Sequence, residues 1–300
     1  MDKKKELRGH LFAAAAIVVW GTTFISTKVL LRYLTPVEIL FIRFVIGYIT
    51  LFAMHPHRLK VTEKKHELYL MGAGLTGIML YYLLENIALT YTFASNVGVI
   101  ISAAPFFTAI LAHLFLQGEK LRLRFFIGFA VAVAGIYLIS FNGTQLQLNP
   151  LGDLLALLAA AAWAIYSVLL RKISGFCYNA VQTTRRVFMY GIIFMIPALF
   201  IFDFSPDLAV FAEPTVILNI LFLGLGASAL CFAAWSSAVN TLGAVKTSVY
   251  IYLVPVITVI TAAIILGETI TVMAMAGTVL TLAGLFISEQ RVLLSRRKEA

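Results

Sequence analysis

Glu85 is the residue best placed to do chemistry in this sequence. It follows Tyr81-Tyr82-Leu83-Leu84 and precedes Asn86 inside a long apolar run. An ionisable group in such a run is costly unless it faces a cavity or a partner. Glu85 is therefore a candidate proton acceptor, or a counter-charge for a substrate ammonium; a structural ion pair, or reach to the outer interface a few residues away, competes with that role. Asn96 and Lys246 each stand nine residues before a proline, Pro105 and Pro255 respectively, a helical distance of about 13 Å. With the prolines near mid-membrane, Lys246 either snorkels to the cytoplasmic side or meets a carboxylate, from substrate or from Glu85. Tyr250 follows one turn on, along the same face. Pro105 and Pro255 break the helical hydrogen-bond ladder, either as hinges or as static kinks.

Trp20 and Trp163 fall mid-span rather than at an interface, so anchoring in an aromatic belt explains them poorly. With Tyr81, Tyr82, Trp235 and Tyr250 they suit the wall of a cavity for an apolar or cationic solute; plain helix packing is the alternative. His113 is a candidate proton relay or a hydrogen-bond partner for a neighbouring helix. Arg43 and Arg186 more often anchor helices to headgroups or carboxylates than bind substrate. The candidate substrate set is thus Trp20, Tyr81, Tyr82, Glu85, Asn86, Asn96, Trp163, Trp235, Lys246 and Tyr250, with Glu85 and His113 as proton-coupling candidates.

No HExxH, nucleophile elbow, paired-aspartate or Walker motif occurs, and one carboxylate cannot run acid–base chemistry on both sides of a bond. An integral-membrane enzyme is therefore the disfavoured class. Cys177 and Cys231 match no metal or redox spacing and read as packing residues. Neither a metal nor a cofactor is expected.

The elements that must position these residues follow from composition. Of 300 residues 61% are apolar and 12% charged, and mean hydropathy is +0.95. A soluble domain carries about 25% charge. The apolar residues form runs of the length that crosses a bilayer, so the fold class is all-α and membrane-embedded. Ten spans are expected, at approximately 11–31, 37–54, 68–91, 94–117, 123–141, 152–171, 181–202, 214–239, 243–266 and 271–289. The first is too long for a signal peptide and reads as a span. The net charge of +9 forms no basic face with interleaved aromatics, which sets nucleic acid aside. Instead, 17 of the 23 basic residues fall in segments that share one side if both termini are cytoplasmic, the distribution that orients a multi-pass protein in the cell (inner or plasma) membrane.

Self-comparison divides the chain. Gly9, Trp20 and Arg43 recur as Gly152, Trp163 and Arg186, displaced by 143; Ala88, Ala94 and Pro105 recur as Ala238, Ala244 and Pro255, displaced by 150. Gly118-Glu119, Gly128 and Gly135 recur as Gly267-Glu268, Gly277 and Gly284, displaced by 149. Five spans reverse direction, so residues 1–143 and 144–300 form two inverted five-helix repeats, a transporter architecture with its site between the halves. The glycines at spacing seven in spans 5 and 10 allow close backbone approach, which suits scaffold or dimer contacts.

These residues carry a likeness. Trp20-Gly21-Thr22-Thr23-Phe24, Pro36 with Arg43, Glu85 through Asn96, and the duplicated Pro105…Gly118-Glu119 and Pro255…Gly267-Glu268 blocks resemble EamA-type members of the drug/metabolite transporter superfamily. The resemblance spans nearly the whole chain. It implies a ten-helix secondary transporter that exports small metabolites, often amino acids, by alternating access, with a proton as a candidate coupling ion. It leaves other solutes open (nucleobase, sugar-phosphate or cationic drug), and it leaves monomer or homodimer open.

Overall fold

Hydrocarbon offers an unpaired backbone amide no partner, and the computed structural model is accordingly a bundle of helices. It describes residues 3–116, 123–140, 149–202, 204–267 and 270–289, with no strand among them. The helices are α1 (Lys3–Leu30), α2 (Pro36–Met54), α3 (Lys64–Gly74), α4 (Tyr81–Tyr91), α5 (Ala94–Ile101), α6 (Ala104–Phe115) and α7 (Leu123–Ser140). The second half follows with α8 (Pro150–Ser174), α9 (Ala180–Ile201), α10 (Pro214–Leu221), α11 (Cys231–Leu242), α12 (Ala244–Ser248), α13 (Val254–Leu266) and α14 (Val272–Glu289). Because α3–α4, α5–α6, α10–α11 and α12–α13 are each one interrupted rod, the described residues build ten rods. Seven are individually long and apolar enough to cross a membrane, and shorter apolar helices at Phe126–Gly135, Tyr250–Leu266 and Met275–Gly284 belong to the other three.

Local sequence sets where rods begin. Thr35 accepts from the Glu38 amide while the Glu38 carboxylate accepts from the Thr35 amide, a reciprocal cap with Pro36 behind it that satisfies two amides a helix start leaves orphaned. Asn149 and Asn179 cap α8 and α9 in the same spirit.

Two rods behave as the prolines predict. A turn at Ser102–Ala103 separates α5 from α6, a 3-10 turn at Val249–Leu253 precedes α13, and Pro105 and Pro255 each stand in the first turn of the helix that resumes. Two others hold a feature absent from the sequence reading: π-helical segments at Leu75–Leu80 and Phe222–Leu230, in equivalent rods. A π segment widens the turn and takes its carbonyls out of the α-helical ladder.

Packing repeats with the halves exchanged. α1 lies against α11 and α13, as α8 lies against α4 and α6. α2 lies against α10 and Phe222–Leu230, as α9 lies against α3 and Leu75–Leu80, and α2 and α9 meet each other. α7 and α14 pair with each other. These are ten transmembrane helices as two inverted five-helix repeats. The α7–α14 crossing is reciprocal to the atom. A Cβ on Gly135 would sit 2.4 Å from the Thr281 amide nitrogen, and one on Gly284 would sit 2.3 Å from that of Ala132, so only glycine permits this approach.

The symmetry also corrects one equivalence. The caps of α2 and α9, Thr35 and Asn179, differ by 144. Gly47 closes on Gly224 and Ser228 as Gly191 closes on Gly74 and Ile78. The counterpart of Arg43 is therefore Val187, not Arg186; the connector between the first two rods absorbs one residue. Gly118-Glu119, Glu268 and the 143/144 boundary lie outside the described residues.

Candidate functional site

The centre of the bundle is an aromatic box drawn from both halves. Trp20 of α1 meets Trp163 of α8 edge to face, with ring centroids 5.3 Å apart, and lies 5.2 Å from Phe232 of α11. Tyr81 of α4 stands 4.9 Å from Trp163 and 4.6 Å from Tyr82. Aromatic quadrupoles favour such tilted and edge-to-face pairs. The box walls a narrow cavity of about 30 Å³, lined among others by Trp20, Thr23, Tyr81, Tyr82, Trp163 and Ile251. In this closed state the cavity has room for about one water molecule, and its lining comes from rods 1, 3, 4, 6 and 9.

A charged layer lies against the box. Arg43 is 0% exposed and Glu85 1%. The Arg43 Nε donates to Ser228 Oγ at 3.1 Å, and its guanidinium stacks 4.4 Å from the Tyr82 ring centroid. Its two terminal nitrogens have no hydrogen-bond partner among the described residues, and the Glu85 carboxylate has only the Tyr81 hydroxyl close beside it. No ion pair joins them, yet each lies within the other's field. An uncompensated buried charge is strongly destabilising, so this arrangement is a demand for a partner.

The rod ends are gripped by cations. Lys28, near the end of α1, donates to the carbonyls of Leu89 and Thr92, the latter at 2.8 Å, where a helix C-terminus presents unpaired acceptors. Displaced by 143, Arg171 ends α8 at the other side, its Cζ 4.0 Å from where a Cβ of Gly243 would be; Gly243 follows α11 with φ +90. At that same side Arg186 donates to Glu67 at 2.7 Å, and Tyr190 shares the carboxylate.

The structure brings Trp20, Tyr81, Tyr82 and Trp163 together at the cavity, with Glu85 one turn beyond. Trp235 packs behind Trp20 at 5.0 Å in a tilted pair, a buried support. Asn86 ties α4 to the start of α2 by donating to the Pro36 carbonyl at 3.0 Å, and Asn96 donates to Thr92 Oγ1 at 3.2 Å. Tyr250 does not line the cavity: its hydroxyl bonds His10 Nδ1 at 2.7 Å, and Ile251 takes the inward place because the 3-10 turn rotates the face. His113 is exposed on α6, away from the box. The Lys246 side chain lies outside the described residues. Cys231 is buried as expected, but Cys177 is exposed, at φ 57, in the turn after α8. Phe232 and Tyr166 complete the box although no sequence pattern marks them, and Arg43, expected as an anchor, is wholly buried.

Two inverted five-helix halves around a shared cavity define the secondary-transporter class of membrane fold. The chain belongs to the EamA-like transporter family, whose profile matches it twice, over residues 7–141 and 150–289. An uncharacterized transporter of Archaeoglobus fulgidus is 28% identical over 284 residues, covering 93% of this chain and 96% of the relative. A probable amino-acid metabolite efflux pump of Salmonella typhimurium is 27% identical, covering 92% of this chain and 93% of its own. A probable terminal-alkyne amino-acid exporter of Streptantibioticus cattleyicolor is 28% identical, over 76% and 74% respectively. One crystal structure matches over 100% of both chains with a TM-score of 0.68 at 18% identity, a likeness of fold.

Proposed function

We propose that this transporter exports amino acids or closely related metabolites across the cell membrane by alternating access, with both termini cytoplasmic. The observation that carries the proposal is the aromatic cavity shared by the two inverted halves, backed by the unpaired Arg43 and Glu85. The relatives named as amino-acid exporters support the solute class. The basic-residue distribution supports the orientation.

The mechanism uses the symmetry. Lys28 clasps the end of α4 at the outer side, closing that route. Arg171 holds the equivalent post at the inner side, so the alternate state exchanges one clasp for the other. Pro105 and Pro255, at the breaks of rods 4 and 9, are the hinges about which the halves rock. Glu85 is the group that exchanges a proton for the substrate ammonium, which makes the proton the coupling ion.

Cells overexpressing the protein should accumulate one or a few amino acids in the medium relative to cells carrying Glu85→Gln. Equal media, with the two proteins at equal membrane abundance and the same pH profile, remove Glu85 from the mechanism; no amino acid in either medium contradicts the solute class.

A further inference from the structure

Seven buried side-chain polar atoms around the box lack a well-formed hydrogen bond among the described residues: Arg43 Nη1 and Nη2, Glu85 Oε1 and Oε2, Asn86 Oδ1, and the Nε1 of Trp163 and of Trp235; the Tyr81 hydroxyl alone stands close to the Glu85 carboxylate. Buried polar groups are ordinarily satisfied, and each exception calls for a cause such as a missing ligand. The set is of mixed sign. Cationic and N–H donors come from α2, α8 and α11, while anionic and amide acceptors come from α4. A cationic solute would satisfy Glu85 and leave Arg43 bare. A phosphate or simple carboxylate would do the reverse. Only a solute carrying both charges answers the whole set.

Arg43 is prepared for one of those charges. Its Nε is held by Ser228 and its plane rests on Tyr82, so the fork is oriented with its terminal nitrogens free, the geometry that takes a carboxylate in a bidentate fashion.

We propose that Arg43 and Glu85 are a zwitterion clamp, Arg43 receiving the α-carboxylate and Glu85 the α-ammonium of an amino acid whose apolar side chain enters the box of Trp20, Trp163 and Tyr81. The proposal rests on the amino-acid reading above and sharpens it: recognition belongs to the backbone end of the solute, through one residue from each of two rods. Arg43 is therefore a specificity-determining residue, beyond the anchoring role its sequence position suggests.

The test uses the full-length protein in liposomes, with binding followed by fluorescence of the three tryptophans and by displacement of radiolabelled phenylalanine. The probes are phenylalanine, phenylalaninamide, which lacks the carboxylate, and hydrocinnamate, which lacks the ammonium. Wild type should bind each truncated probe roughly tenfold to a hundredfold more weakly than phenylalanine, as expected when a charged group loses its partner. Arg43→Gln should erase the preference for phenylalanine over the amide while retaining the preference over hydrocinnamate. Glu85→Gln should do the opposite. The readout is a ratio within one preparation, so it does not depend on how much protein folds; should Arg43→Gln fail to insert, Ser228→Ala, which frees the fork, should lower the same ratio. Wild-type discrimination kept in these variants overturns the clamp and leaves amino-acid export standing. Failure of wild type to bind phenylalanine or any other amino acid overturns both.

Discussion

Trp20 and Trp163 occupy equivalent places in the two halves, yet only one indole is bonded. Trp20 donates to the Ala227 carbonyl at 2.9 Å, inside the π segment Phe222–Leu230, while the N–H of Trp163 is buried without a partner among the described residues. A net hydrogen bond contributes about 1 kcal/mol. Trp20→Phe should therefore lower the unfolding temperature in detergent more than Trp163→Phe does, by roughly 2 °C, whereas Trp163→Phe should weaken substrate binding. Equal thermal losses would mean that the Trp20 bond contributes nothing. Trp20, Trp163 and Tyr81 were legible as cavity candidates because anchoring at an interface explains a mid-span aromatic poorly, while Trp235, read with them, packs behind Trp20. Arg43 was not, since one sequence does not say which face of α2 turns inward, and an arginine near a span end looks like a headgroup anchor. Tyr250 misled for the same reason: extrapolating an α-helical face through a 3-10 turn points it the wrong way.

Among the elements, the ten apolar runs were readable because their length is dictated by the bilayer, and the breaks before Pro105 and Pro255 because proline has no amide to donate. The π segments left no mark. They lie where Gly74 and Gly224 meet the backbone of the opposite half, Val187 O at 2.7 Å and Arg43 O at 3.3 Å from a notional Cβ, a tertiary contact that no local pattern encodes. The α7–α14 pair is held by a close backbone contact instead. Gly135→Ala would drive a methyl to 2.4 Å from Thr281 N and 2.5 Å from Gly277 O, backbone atoms that cannot turn aside. It should cost about 1–3 kcal/mol in thermal unfolding. Gly226→Ala, whose methyl would meet Phe222 at an ordinary 3.7 Å, should stay within about 0.5 kcal/mol. An unaffected Gly135→Ala would show that α7 and α14 are not locked together.

For the whole molecule, duplication supplies two copies of each device and divergence assigns them different work. The packing scheme, the proline breaks and the π segments are all present twice, whereas the charges of the central layer are single: the repeat equivalent of Glu85 is Trp235, and that of Arg43 is Val187. A symmetric frame that can rock, around an asymmetric site that can recognise, is what a carrier requires. The direct measurement is trans-stimulated exchange in liposomes containing only the purified protein. Unlabelled amino acid on the inside should accelerate entry of labelled amino acid from the outside, because a loaded site returns faster than an empty one. Labelled uptake that ignores the inner solute, or follows it only by simple equilibration, would contradict a single site opened alternately by the two halves.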